Sequence, residues 1–431
     1  MVNCDWVDVL SLNYIDGIEN RPAHSLFSLI TLYQLTIPLN SSLVFIFITI
    51  FVDMLGYGIM LPLLPFFVQA QDGGAAIAGA LSSLYASAQL FAGPVLGALS
   101  DRYGRRPVLL ICLLGTSMGY LMLGLAGSLP LVFLAVLIDG LTGGNLTTAY
   151  AYIADVTTTE NRARGMGMVG AAFGLGLMAG PALGGLLSRY GLYVPAFIAS
   201  AIALSNVIFG YFVLPESLPL EKREIKPVFQ GFNFGNQFMS LFKQVNVQKL
   251  LVAMFLLNLA FAGLQSNFPL YSNFRFHWTP TQNSFFYLYV GVCAVFIQGF
   301  LFGKLQPRFG EKRLTIFGLT LMAIGLAGMA LAPAAWMLYP AVTIVALGTG
   351  TSIPSLTALV SLRVSESEQG RLMGGTQTLL SLTNIFGPML AGISFEVIAF
   401  SAPYWIGSVF ALIALGVANM SLRNPILNPE I

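Results

Sequence analysis

Residues 97–107 read Gly-Ala-Leu-Ser-Asp-Arg-Tyr-Gly-Arg-Arg-Pro, a knot of charge between two long apolar runs. A weaker copy follows further along the chain, where Gly97, Arg102 and Gly104 fall in register with Gly303, Arg308 and Gly310. The register extends in both directions at a nearly constant offset. Upstream, Gly56 meets Gly263 and Pro62 meets Pro269; downstream, Gly143 meets Gly350, Arg164 meets Arg371 and Gly167 meets Gly374. Gly180, Pro181 and Gly185 then meet Gly387, Pro388 and Gly392. An offset held through so much of the chain marks an internal repeat.

Composition says what is repeated. Of 431 residues, 56% are hydrophobic and 9% charged. Soluble domains carry about 25% charged residues, so a water-facing surface cannot be built from this alphabet. A soluble enzyme, a nucleic-acid binder and a disordered chain are excluded. Long continuous apolar runs also exclude a transmembrane β-barrel, whose strands alternate. An all-α membrane protein remains, and twelve crossings at ~20 residues each fit its length.

Gly, Pro and charge clusters place the spans near 42–67, 76–99, 107–126, 130–154, 164–187, 191–214, 248–271, 283–304, 313–332, 334–360, 371–396 and 404–422. The predicted fold is two pseudo-symmetric six-helix bundles, 42–214 and 248–422, joined by a charge-rich linker at 215–247. Two such bundles, related by an axis along the membrane normal and rocking about a central cavity, are the plan of secondary transporters.

Basic residues set the orientation. Every Lys and Arg except Arg189 and Arg275 falls on one side of the spans so drawn. By the positive-inside rule that side is cytoplasmic, and so are both termini, 1–41 and 423–431. The first tail is acidic at Asp5, Asp8, Asp16 and Glu19, then apolar from Leu26 to Leu39. With no basic leader before that stretch, it does not read as a secretory signal. Cys4, Cys112 and Cys293, with His24 and His277, show no metal-ligand spacing, so neither metal nor cofactor is expected.

The opening segment, Gly97 to Pro107, resembles the loop 2–3 signature of the major facilitator superfamily. Gly174-x-Gly-x-x-x-Gly180-Pro181-x-x-Gly184-Gly185 is similar to the antiporter signature in the fifth span of its drug:proton exporters, and includes Gly176. Asp53-Met-Leu-Gly-Tyr-Gly-Ile-Met-Leu-Pro-Leu-Leu-Pro65 looks like the first span of tetracycline-exporter-like members. The resemblance, covering about 42–422, implies a monomeric proton-coupled exporter. It also implies a gate at the cytoplasmic rim, with Asp101 meeting the start of the eleventh span and Arg105 bridging to the acid at the end of the fourth, here Asp155. Arg102 and Arg106 complete that motif, while serving as topology anchors too. Pro307 stands where the second copy would need its acid.

Glycines of the loop motif are expected to allow tight backbone geometry and close helix approach. Those of the fifth span are expected to pack tightly against the other half, since small residues let helices approach in lipid. Pro181 adds a local bend.

Asp53 and Asp139 lie inside apolar spans. A carboxylate there is costly unless paired, hydrated or protonated, so each is a candidate for proton or substrate coupling. The competing roles are structural: hydrogen bonding at a Gly-rich bend for Asp53, and pairing across helices for Asp139. Superfamily members commonly carry an arginine three residues before Asp139; here Val136 stands there, which questions inherited proton coupling. Tyr85, Gln89, Asn145, Asn258, Gln265, Gln298, Gln377 and Asn384 are candidates to line the cavity or to bond helix to helix.

An aromatic and amide-lined cavity with one or two acids suits an amphipathic, neutral or cationic small molecule. The leading expectation is an exporter of drug-like, tetracycline-like compounds in the plasma or inner membrane, energised by proton antiport. A proton-independent facilitator of a small metabolite is the alternative, and a non-transporting receptor or scaffold the reading from another class. No enzyme is expected, and no GxxxxGK[ST] nucleotide loop is present.

Overall fold

The computed structural model describes residues 39–157, 159–223, 245–364 and 369–422. Most of the expected N-terminal tail, residues 224–244 of the linker and the tail 423–431 lie outside them. The described residues are nearly all helical, with no strand among them.

The first bundle contains α1 (Leu39–Met60), the short α2 (Leu64–Gln69), α3 (Ala75–Tyr103), α4 (Arg105–Gly124), α5 (Leu129–Thr142), α6 (Asn145–Val156), α7 (Thr159–Leu187) and α8 (Val194–Val213). The second contains α9 (Val245–Phe276), α10 (Pro280–Phe296), α11 (Phe302–Leu331), α12 (Leu338–Ser361), α13 (Gln369–Val397) and α14 (Ala402–Leu422). In lipid each backbone N–H and C=O must find its partner within the segment, so apolar runs of this length become helices. Pro65, Pro130, Pro195 and Pro280 open helices at a first-turn position, where the missing N–H costs nothing.

Ten described helices are long and apolar enough to cross a membrane. One of them, Pro280–Leu331, runs 52 residues, room for two crossings, and turns at Gly310. With the apolar α1 the set is consistent with twelve spans. Two expected spans are interrupted: 42–67 breaks between Met60 and Leu64, and 130–154 is split into α5 and α6.

Each bundle has its own core. Ile59, Phe67, Leu81 and Tyr120 anchor the first, while Leu257, Phe268, Met322 and Tyr404 anchor the second. Large apolar side chains also face outwards, as at Ile111, Met118 and Phe212. On a soluble protein such a surface would be a liability, and on a membrane protein it is the lipid-facing belt.

The bundles meet along two seams, α3 with α13 and α7 with α10. Both are tight at the face opposite the basic loops. There Gly79 lies against the Pro388 carbonyl and Gly392 against that of Ala75, with no room for a side chain at either glycine. Ser83 Oγ donates to Ile385 O at 2.5 Å, and Thr281 Oγ1 donates to Gly185 O at 2.9 Å. Towards the basic face the same four helices part. A methyl group added at Gly97 of α3, Gly174 of α7 or Gly374 of α13, or at Gly299 just beyond α10, would meet nothing within 4 Å. The molecule is closed on one face and open on the basic one.

Candidate functional site

The break between α5 and α6 organises the interior. Gly143 and Gly144 leave the helical path in mid-membrane, and Gly144 comes so close to α3 that an added Cβ would lie 3.0 Å from Gly93 Cα. Gln89 Nε2 donates to the freed Gly143 carbonyl at 2.9 Å, and Thr147 Oγ1 donates to that of Gly144 at 2.8 Å. Irregular backbone at this depth persists where protein groups satisfy it in this way. The break sets Asp139 near the end of α5 and Asn145 at the start of α6.

Asp53 and Asp139 are both buried, 8% and 9% exposed. Asn145 Nδ2 donates to Asp53 Oδ2 at 2.7 Å, tying α1 to α6. Asp139 contacts Thr116 and lines a cavity of about 980 Å³, counting its open mouth. Tyr57, Tyr85 and Tyr120 form its aromatic wall, with the Tyr57 and Tyr85 rings stacked at 5.7 Å. Gln89, Gln265 and Asn384 bring polar groups from both bundles. Among the described residues no Lys, Arg or His lines it, and Val136 sits in the wall beside Asp139.

Of the eight expected cavity residues, Tyr85, Gln89, Gln265 and Asn384 converge there. The others do not. Asn145, in the first turn of α6, turns to Asp53. Asn258 gives its amide to Met254 O, one turn back along its own helix. Gln298 sits in a π-helical turn, Ile297–Leu301, and lines a separate cavity of about 720 Å³ within the second bundle. Gln377 is exposed and lines neither cavity. Tyr57 and Tyr120 were not among the expected residues; the signal for Tyr57 was its place one turn after Asp53.

At the basic face Arg105 is buried and shared. It reaches Asp101 at 2.5 Å, Asp155 at 3.0 Å and Ser100 Oγ at 2.7 Å. Asp101 is half-exposed and paired with Arg105 within its own half. Arg102 lies over the Tyr103 ring, while Arg106 bonds the Tyr211 carbonyl. Glu216 is a further member of this cluster that the sequence reading left in the linker. Its Oε1 accepts from Arg105 N at 2.8 Å and its Oε2 from Arg106 N at 3.3 Å, placing a carboxylate on the start of α4. The available signal was an acid directly after the sixth span, in Pro215-Glu216-Ser217.

Two glycine expectations need correction. Gly97 makes no close helix approach here: an added Cβ would meet nothing within 4 Å. Gly176, Gly180 and Gly184 pack not against the other half but against α1. Added Cβ atoms would lie 2.6 Å from Met54 Cβ, 2.6 Å from Gly58 Cα and 2.8 Å from Ile59 O. Spaced by four, they form one stripe, and that stripe faces the first helix of its own bundle. Gly185, one residue round, is the member of the motif that meets the other half, at Ser284. Gly174 faces open space, and Pro181 lies inside α7 against Gly58.

Two six-helix bundles, sealed on one face around a cavity lined by tyrosines, amides and an acid, have the plan of a membrane transporter. The family model of the Major Facilitator Superfamily matches residues 46–333 and 290–426. The chain belongs to that superfamily and is a transport protein, not an enzyme. It is 34% identical over 371 residues to the tetracycline resistance protein, class C, of Escherichia coli, covering 85% of this chain and 92% of the relative. It is 31% identical over 371 residues to multidrug resistance protein 2 of Bacillus subtilis (strain 168), with the same coverage of 85% and 92%. Among solved structures, a bacterial homolog of the human lysosomal transporter Spinster, inward-facing and unoccupied, matches with a TM-score of 0.72. It is 16% identical, over 90% of this chain and 97% of that one. The fold and family are therefore those of small-molecule transporters in the membrane, with drug-resistance proteins among the relatives.

Proposed function

We propose that the protein exports amphipathic, drug-like molecules, tetracycline-like in size and polarity, in exchange for protons. The observation that carries this reading is the cavity itself: three tyrosines and Asp139 face amides from the other bundle, at the level where the fourth span breaks. Rings accommodate a planar apolar body, and the amides and carboxylate orient its polar edge. Asp53 and Asp139 are the proposed coupling acids. Each sits where an ionised carboxylate is unfavourable; Asp139 lines the cavity, so proton binding there is linked to substrate binding through charge, while Asp53, bonded to Asn145 outside the lining, is the second proton site.

On this reading the basic face is cytoplasmic, with both termini on that side of the plasma or bacterial inner membrane. The open cavity then faces the compartment from which a drug is collected. The Asp101, Arg105, Asp155 and Glu216 cluster belongs to the gate that closes this face in the other state. Residues 42–214 and 248–422 move as the two rocking units, and the chain acts as a monomer.

Everted vesicles with an internal pH dye, an imposed proton gradient and a panel of amphipathic drugs including tetracycline test this directly. Substrate should release protons with the wild type and not with Asp53→Asn. Substrate movement with no proton signal in the wild type would remove the antiport and leave a facilitator. The specific observation favouring that second reading is Val136, which gives the cavity no cation beside Asp139.

A further inference from the structure

We propose that Glu396 is a positioning residue of the transport cycle, a latch on the closed face that caps α3 from across the seam. Its Oε2 accepts a hydrogen bond from Ala76 N at 2.9 Å, joining two residues on opposite halves. The first N–H groups of a helix have no partner within it, and a carboxylate there also meets the positive end of the helix dipole.

The two halves treat this requirement differently. α10, the counterpart of α3 in the second bundle, is capped by its own chain. Thr279 Oγ1 accepts from Gln282 N at 3.3 Å, and Gln282 Oε1 accepts from Thr279 N at 2.9 Å. α3 begins after Gly74, which has an extended backbone and no side chain with which to cap. A Cβ at Gly74 would lie 2.7 Å from Glu396 Oε2, so the glycine also clears the space that the carboxylate enters. The need for a cap in the first half is thus met by the second half, on the seam that must separate when this face opens.

Geometry makes the latch a counterpart of the loop motif. Asp101 stands near the end of α3, and Glu396 near the end of α13. Glu396 is engaged across the seam while Asp101 is held by Arg105 within its own half. Opening the closed face would draw α13 from α3 and return both the carboxylate and Ala76 N–H to water. Water compensates for part of that loss, which suits a contact broken in every cycle. The inference depends on the seam alone and not on substrate or proton.

The test uses the full chain in proteoliposomes, with Cys4, Cys112 and Cys293 replaced by serine and spin labels at Tyr190 and Trp336. Both sites are exposed, lie on the closed face and belong to different halves. Pulsed dipolar spectroscopy reads the ratio of short to long distances. Glu396→Ala should move this ratio about two- to thirtyfold towards the long distance, the range for losing a helix cap. Glu396→Gln should move it less, because the amide oxygen still accepts.

Gly74→Ser approaches the latch from the other side, giving α3 its own cap and crowding the carboxylate. It should shift the ratio in the same direction, and the double variant should go no further than the larger single effect. An unchanged ratio in Glu396→Ala overturns the proposal, as does a lowered melting temperature with no change in ratio. Should Glu396→Ala fail to fold, the distances in Gly74→Ser decide: a shift supports the latch, and none overturns it.

Discussion

At Gly104 and Gly310 the chain makes the same unusual turn, with φ and ψ of 106° and 156° in the first copy and 71° and 163° in the second. Only glycine enters that region without strain, so the repeat preserves the residue and its conformation. Around the two turns the chemistry diverges. Arg105 joins Asp101 and Asp155 beside the first, with Glu216 closing over the start of α4. Beside the second, Pro307 replaces the acid, and Glu311 accepts from Gln306 Nε2 at 2.8 Å.

The same contrast runs through the membrane. Ala260 stands at the repeat position of Asp53, and Ala346 at that of Asp139. α12 runs unbroken where the fourth span is divided. Backbone and packing are written twice, while the acids that could do chemical work are written once.

The largest expected effect breaks this contrast in the cavity. Asp139→Asn should lower proton-coupled drug export to background, a loss of more than about tenfold for an intramembrane coupling acid. Ala346→Ser, at the matching position in the second bundle, should retain most of the activity. Export assayed in everted vesicles at equal protein levels checks both. Equal losses would show that the second bundle carries as much of the chemistry as the first.

A smaller effect compares the packing that the halves share. Gly180 faces the backbone of α1, whereas Gly387 faces first the Ala262 side chain, 2.8 Å from its added Cβ. Overpacking a tight contact costs about 1–3 kcal/mol. Both should fall towards the upper end, because neither backbone nor a methyl fixed to it can step aside, with Gly180→Val the costlier: its backbone contacts begin at 2.6 Å, those of Gly387 at 3.0 Å. Thermal unfolding in detergent would read the order, and the reverse order would mean that α1 yields more readily than α9.

The spans and the repeat were legible because glycine and proline punctuate apolar runs in one register, and lipid permits few alternatives to helix. The division of the fourth span was not. Gly143-Gly144 is followed by Asn145-Leu146-Thr147, and nothing local says whether such a run bends or continues; the tertiary bond from Gln89 completes the break. Asp53 and Asp139 were legible as acids out of place. Asn145 was legible as polar, but its partner, Asp53, lies 92 residues away on another helix, which a linear pattern does not reveal. Glu216 and Glu396 were harder still, since each sits just beyond an apolar run and acts on a helix end distant in sequence. The fifth-span glycines declared close packing without declaring against what.

Arg105→Ala should come next in size. It removes the charge-assisted bonds to a half-exposed Asp101 and a more sheltered Asp155, about 1–2 kcal/mol after allowance for solvent screening. Arg308 is exposed and has no ion pair among the described residues, so Arg308→Ala should leave the melting temperature unchanged. A matching loss at Arg308 would show that the second loop is held as firmly as the first.

The smallest effect concerns the Gln306–Glu311 hydrogen bond of that second loop. The Gln306 amide holds the Glu311 carboxyl below its ordinary range. A carboxyl lowered in the folded state adds stability above its unfolded value, and loses it as pH falls through the folded one. Glu311 is half-buried and its partner is a neutral amide at the protein surface, so its contribution is near the limit of measurement. Glu311→Gln should therefore melt almost with the wild type at neutral pH, and any gap should close as the buffer is acidified through the carboxylate range. A gap as wide as that of Arg105→Ala would place a second charged clasp where the structure shows a single hydrogen bond, and the asymmetry between the two copies would fail at the loops where it is most visible.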